Sequence, residues 1–176
     1  MSIPVITERW IEKIQRFVTT AETLSKDRSR GVGCVIVDHD MGIRTVAYNG
    51  FPRGVLDEGK DVPVWWPSTG SMTEQERLDL IDEVEARHQR PEKYLWTEHA
   101  ERNAIYACAR AGTSTNNCIM VIKWFPCAEC ARAIIQSGIK VLVGCHPNMD
   151  DPTWGTSFKA ALKMLNEVHF KIIYTD

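Results

Sequence analysis

No run of residues in this sequence is both uncharged and long enough to span a bilayer, which takes about 20 consecutive apolar residues, so no transmembrane helix is expected. The opening stretch MSIPVITERWIEKIQRF is charged by position 8 and has no apolar core of the secretory kind, which argues against a signal peptide. Excess charge of either sign is missing too: 21 Lys and Arg stand against 23 Asp and Glu, a formal net charge of −2. That balance argues against broad attraction to a polyanion, and no tract interleaves aromatic and basic residues in the way a single-strand binding groove needs. Neither a membrane nor a polynucleotide partner is expected, and the chain reads as a soluble cytoplasmic protein. Repeats and low-complexity segments are absent as well. A length of 176 residues suits one ordinary core, so the expectation is a single domain over 1–176.

Six cysteines are present, at 34, 108, 118, 127, 130 and 145. Without a secretion signal they read as reduced thiols rather than a disulfide framework. Cys34 in VGCVIVD, Cys108 in IYACARAG and Cys118 in CIMVIKW lie in apolar stretches, where cysteine serves as a small hydrophobe.

Apolar residues Trp10, Ile11, Ile14, Phe17, Val18 and Leu24 recur at a helical period, predicting an amphipathic helix within 5–24 that covers one sheet face. The β-branched runs 32–38 and 43–48, separated by HDMG, predict an antiparallel hairpin. A helical insertion follows at about 51–97, where Ser71 and Glu74 form a capping-box pattern ahead of a charged helix carrying Leu78, Ile81 and Val84. Beyond it the pattern alternates: helix 98–111, strand 118–124, helix 127–137, strand 139–144, helix 157–168, strand 170–174. Such alternation calls for crossover connections and a partly parallel sheet. The fold class is therefore α/β, a three-layer α/β/α sandwich around a mixed five-stranded sheet.

Two stretches carry the chemistry. TEHAERNAI places His99 and Glu101 at the start of one predicted helix, and WFPCAEC places Cys127 and Cys130 at the start of the next. H-x-E followed by P-C-x-x-C is the signature of zinc nucleobase deaminases. Cysteines three apart share a helix face, and the unpaired N–H groups and dipole of a helix N-terminus favour the thiolates that bind zinc. One imidazole and two thiolates leave a fourth tetrahedral position for water, the mark of a catalytic rather than a closed structural ion. Glu101, turned by about 200° from His99 on the helix, need not bind the same ion and is by position the base expected to carry protons beside it. A thioredoxin-like redox pair would explain Cys127 and Cys130 but leave His99 and Glu101 without a role. A structural four-ligand site would need Cys34, Cys108, Cys145 or His146, none at a knuckle spacing.

With these motifs, LSKDRSRGVGCVIVD, YNGFPRG, EKYLWTEHAERNAI, WFPCAECARAIIQSGIK and ALKMLNEVHFKIIY follow in order, and the chain resembles the deoxycytidylate (dCMP) deaminase branch of the cytidine deaminase-like superfamily over nearly its whole length. The resemblance implies hydrolytic deamination of a cytosine nucleotide, dCMP to dUMP, the precursor of thymidylate. It implies one catalytic Zn2+ on His99, Cys127 and Cys130, Glu101 as proton shuttle, Asn49 at the sugar and small Ala100 against the pyrimidine. Homo-oligomers, commonly hexamers, and dCTP and dTTP as effectors are family traits. Lys26, Arg28, Arg30 and Arg53 are the candidate phosphate contacts. Three departures stand out. Ala47 replaces the family's glycine before YNG, which bears on regulation because alanine disfavours positive φ. CHPNMDDPTW replaces a segment that often bears a substrate-stacking Tyr, leaving His146, Trp65, Trp66 or Trp154 for that place. The insertion offers only His88 toward the second, structural zinc of some phage members, so a single ion is predicted. The alternatives are a deaminase of another small nucleobase or nucleoside, and a nucleotide-binding relative without catalysis.

Overall fold

The computed structural model describes residues 5–61 and 72–175, and these divide into two compact units. The first comprises the chain up to Ser25, Gly31–Asn49 and His99 onward. The second comprises Lys26–Arg30 and Gly50–Glu98.

The first unit holds a five-stranded sheet of β1 (Gly33–Val37), β2 (Ile43–Tyr48), β3 (Ile119–Ile122), β4 (Val141–Cys145) and β5 (Lys171–Thr175) in the order β2-β1-β3-β4-β5. The hairpin forms as predicted, with Cys34 opposite Ala47, and β1 also runs antiparallel to β3. β3, β4 and β5 are parallel, the two crossovers being made by α5 (Ala128–Gln136) and α6 (Gly155–Glu167). Every residue of β1 and β3 is buried, as central strands covered on both faces require.

Strand periodicity sorts those side chains into two cores. Cys34, Ile36, Met120, Ile122 and Leu142 face α4 (Ala100–Arg110), α5 and α6 through Ala104, Cys108, Ala131, Ile134, Ala161 and Leu165. Val35, Val37, Val121, Val141 and Val143 face Ile11, Ile14 and Val18 of α1 (Glu8–Glu22). Crossovers of one hand that step the same way along a sheet put their helices on one face, which is why α5 and α6 lie together on the face opposite α1. That cover is close: a Cβ at Gly33 would lie 2.1 Å from the Val18 carbonyl oxygen.

In the second unit α2 (Glu74–Ala86) begins with a capping box, but Thr73 and Glu76 make it rather than Ser71 and Glu74. Ser71 lies outside the described residues. Val84 is fully buried while Leu78 remains exposed, so the helix has a narrow apolar contact on an otherwise solvated surface. A short α3 (Lys93–Trp96), not foreseen from the pattern, carries the buried Lys93, whose Nζ donates to both Asp27 oxygens at 2.7 and 2.8 Å. Burial works against ionisation of Asp27, but Lys93 and the N–H groups of Ser29 and Arg30 together hold its carboxyl below the usual range. His88 stacks on Phe51 with ring centroids 4.7 Å apart and engages the Asp57 carbonyl, an ordinary packing role for a buried histidine. No helix among the described residues is long and apolar enough to cross a membrane.

Candidate metal centre

The first unit brings the H-x-E and C-x-x-C motifs together. His99 is the N-cap of α4 and Cys127 the N-cap of α5, with Cys130 three residues on in the first turn. His99 Nδ1 lies 3.5 Å from Cys127 Sγ and 3.4 Å from Cys130 Sγ, and the three ligand atoms all fall within 4.8 Å of one another. Zinc bonds to imidazole nitrogen and thiolate sulfur would set a tetrahedral N···S edge of about 3.6 Å, so this donor set fits that ion closely. Among the described residues this group has three members, and Cys34, Cys108, Cys145 and His146 are not among them. The geometry is that of a cage with an open corner rather than a closed four-ligand knot.

The protonation chemistry of the trio is tightly linked. Cys127 is held at about 4, first by the hydrogen bond from the Cys130 thiol and also by His99. The same hydrogen bond, together with burial, pushes Cys130 well above the ordinary thiol range. Contact with Cys127 raises His99. Glu101, in the first turn of α4, is 5% exposed, and burial pushes its carboxyl above the usual range while the His99 charge pulls the other way. A buried carboxyl poised upward beside a metal cage is the kind of group that can both take and return protons near neutrality. Ala100, between His99 and Glu101, is wholly buried.

Asn49 behaves differently from a turn residue. Neither it nor Gly50 has positive φ, so this segment turns without left-handed backbone at either position. Its Oδ1 accepts from Ser25 Oγ at 2.7 Å and from the Val32 N–H at 2.8 Å, locking the buried amide in place. Asn103 of α4 donates to the Tyr48 carbonyl at 2.9 Å and so ties this segment to the helix that carries His99 and Glu101. Ala47 sits in regular strand pairing, where positive φ is not called for.

Of the aromatic candidates, His146 stacks on Tyr174 with centroids 3.9 Å apart, and Trp65 and Trp66 lie outside the described residues. Of the described candidates, Trp154 is the one set against the cage, edge-on to His99 with centroids 5.7 Å apart. Of the cations, Lys26 pairs with Asp57 at 3.0 Å and Arg28 with Glu85 at 2.5 Å inside the second unit, Arg30 gives its backbone N–H to Asp27, and Arg53 is exposed. Pattern reading did not single out Asn103, or the Arg102 to Glu129 ion pair at 2.5 Å that links α4 to α5. A polar side chain reaching another element carries no local signal in the sequence.

The chain matches the family described as "Cytidine and deoxycytidylate deaminase zinc-binding region" over residues 8–145. It is 35% identical over 167 residues to the "Probable deoxycytidylate deaminase" of Caenorhabditis elegans, covering 93% of this chain and 69% of that one. It is 30% identical over 164 residues to the deoxycytidylate deaminase of Homo sapiens, covering 93% of this chain and 80% of that one. Among solved structures, the dCMP deaminase from the cyanophage S-TIM5, in apo form, superposes with a TM-score of 0.64 over 97% of this chain and 100% of that one. At 16% identity that likeness is one of fold.

Proposed function

The chain belongs to the cytidine and deoxycytidylate deaminase family, and on that premise we propose that it hydrolytically deaminates a cytosine nucleotide, dCMP to dUMP, with one zinc ion on His99, Cys127 and Cys130 and with Glu101 carrying protons. The observation that carries this reading is the approach of His99 Nδ1 to two sulfurs at the mouth of two helices, one of which also bears a buried carboxyl. When bound, zinc supplies Lewis acidity that lowers the pKa of water into the neutral range. Glu101 takes a proton from water as the oxygen joins C4 of the cytosine ring, and passes it to N3. The proton left on that oxygen then travels by way of Glu101 to the exocyclic nitrogen, the C4–N bond breaks, and ammonia departs from a uracil carbonyl. Ala100 keeps the helix start narrow enough for the flat ring to approach, and Trp154 forms an aromatic wall beside His99.

Purified zinc-loaded protein is expected to release ammonia from dCMP, with the highest kcat/KM in a panel of dCMP, CMP, dCTP, deoxycytidine and cytosine. Failure to deaminate any member would overturn the proposal, and a preference for deoxycytidine or cytosine would move the assignment to another small-molecule deaminase. The same panel with added dCTP or dTTP tests effector action, and light scattering tests a homo-oligomer such as a hexamer. Six free cysteines, five of them buried, support a reducing, cytoplasmic setting.

We assign Asn49 to the sugar as an amide donor, held in register by the two hydrogen bonds that its Oδ1 accepts. Asn49→Asp keeps the acceptor but removes the donor, so KM for dCMP is expected to rise roughly tenfold with little change in kcat. Unchanged KM would assign Asn49 to structure alone.

A further inference from the structure

The two sulfurs of the cage stand at the start of α5, and the residue at its N-cap is itself one of the proposed ligands. Cys127 makes no side-chain capping hydrogen bond; its sulfur faces His99 Nδ1 instead. A helix start whose N-cap lacks an oxygen depends on other groups for its first N–H donors. One such group comes from another helix: Ser157 Oγ, in the first turn of α6, accepts the Ala128 N–H at 2.8 Å. Ala128 directly follows Cys127, so this bond holds the peptide unit attached to the first sulfur.

Ser157 is itself firmly placed. Asp151 Oδ1 accepts the N–H groups of Thr153 and Trp154 at 2.9 and 2.8 Å, and its carbonyl accepts that of Gly155 at 2.8 Å, which fixes the entry into α6. Gly155 then passes so near the preceding loop that a Cβ there would sit 2.5 Å from the Met149 carbonyl oxygen. Trp154, at the N-cap of α6, touches His99 on the α4 side of the cage. One turn of chain therefore contacts both helix starts that supply the donor atoms.

From this geometry we infer that Ser157 is a positioning residue for the metal centre, its hydroxyl accepting from α6 the first backbone N–H of α5, a donor that an N-cap side chain does not reach, and so holding the α5 sulfurs against His99 Nδ1. The inference rests on the zinc reading above and gives Ser157 no contact with the ion or the substrate. In the full-length zinc-loaded protein, Ser157→Ala is expected to lose zinc to a chelator about tenfold faster than the parent, at the lower end of what partners outside the ligand shell contribute. Its cobalt-substituted form is expected to show a shifted visible spectrum. Ser157→Thr, which keeps the hydroxyl, restores both. Equal release from parent and Ser157→Ala overturns the assignment, as does equally fast release from both variants. So does a lowered melting temperature with release and spectrum unchanged, which would mark a purely structural bond. A parent protein that holds no zinc at all would instead overturn the reading of His99, Cys127 and Cys130 on which this one depends.

Discussion

Glu101→Gln is expected to retain a full complement of zinc and to deaminate dCMP roughly 10²- to 10⁴-fold more slowly than the parent, the range that a positioned acid–base group supplies. The two side chains have nearly the same volume, so the substitution leaves the packing around a residue that is only 5% exposed almost untouched. What disappears is the capacity to hold a proton and release it. The pH profile separates this from a loss of binding: as pH falls, the parent loses kcat/KM because the carboxylate becomes protonated, and that acid limb is absent from the residual activity of the variant. Elemental analysis supplies the control. Zinc lost along with activity would make Glu101 part of the cage, and turnover within a few-fold of the parent would place the proton carrier elsewhere.

The cluster of His99, Cys127 and Cys130, and Glu101 next to it, was legible because the spacing within each motif is local. His99 and Glu101 lie two apart, Cys127 and Cys130 three apart, and each pair is presented by the first turn of its own helix, so the one-dimensional pattern already contains the geometry. The hairpin and the parallel strands were legible for the same reason, since β-branched runs and helical periods report on short windows. The cap of α2 fell two residues from its expected place because Ser71 and Thr73 both begin an S/T-x-x-E pattern, and a local rule has no means of choosing between them.

Ser157, Asn103 and the Arg102 to Glu129 pair were illegible for the complementary reason. Ser157 bonds to Ala128 across 29 residues, and Asn103 to Tyr48 across 55, distances at which no periodicity links the partners. Trp154 appeared among four aromatic candidates, and only the fold could set it against His99 while His146 turned to Tyr174. The donor atoms thus follow from composition and spacing, whereas the side chains that aim them follow from tertiary contacts.

Cys130→Ala carries the other large effect: zinc falls from one ion per chain to near none after dialysis, and dCMP deamination falls to background. Cys130 is wholly buried, its sulfur 3.4 Å from His99 Nδ1, and its removal leaves one imidazole and one thiolate with no other His, Cys, Asp or Glu side chain in that group among the described residues. Cys34→Ala is the matched control, because Cys34 is equally buried but belongs to the sheet core shared with α4 and α5, and it keeps its zinc. Zinc lost from the Cys34 variant would revive a four-ligand structural site. In the parent, affinity must also fall as the solution is acidified. Cys127 is already ionised at neutral pH, since its pKa lies at about 4, so the protons that compete with zinc are those of Cys130, raised by its hydrogen bond to Cys127, and of His99, raised by the same neighbour. Both groups bind protons more readily as pH drops, and each proton taken up removes a donor. Calorimetric titration of apo protein with zinc in buffers of different ionisation enthalpy reads this directly as protons released per ion bound. A binding constant independent of pH between neutrality and mild acid would show that the thiol and imidazole are not the groups the metal displaces protons from.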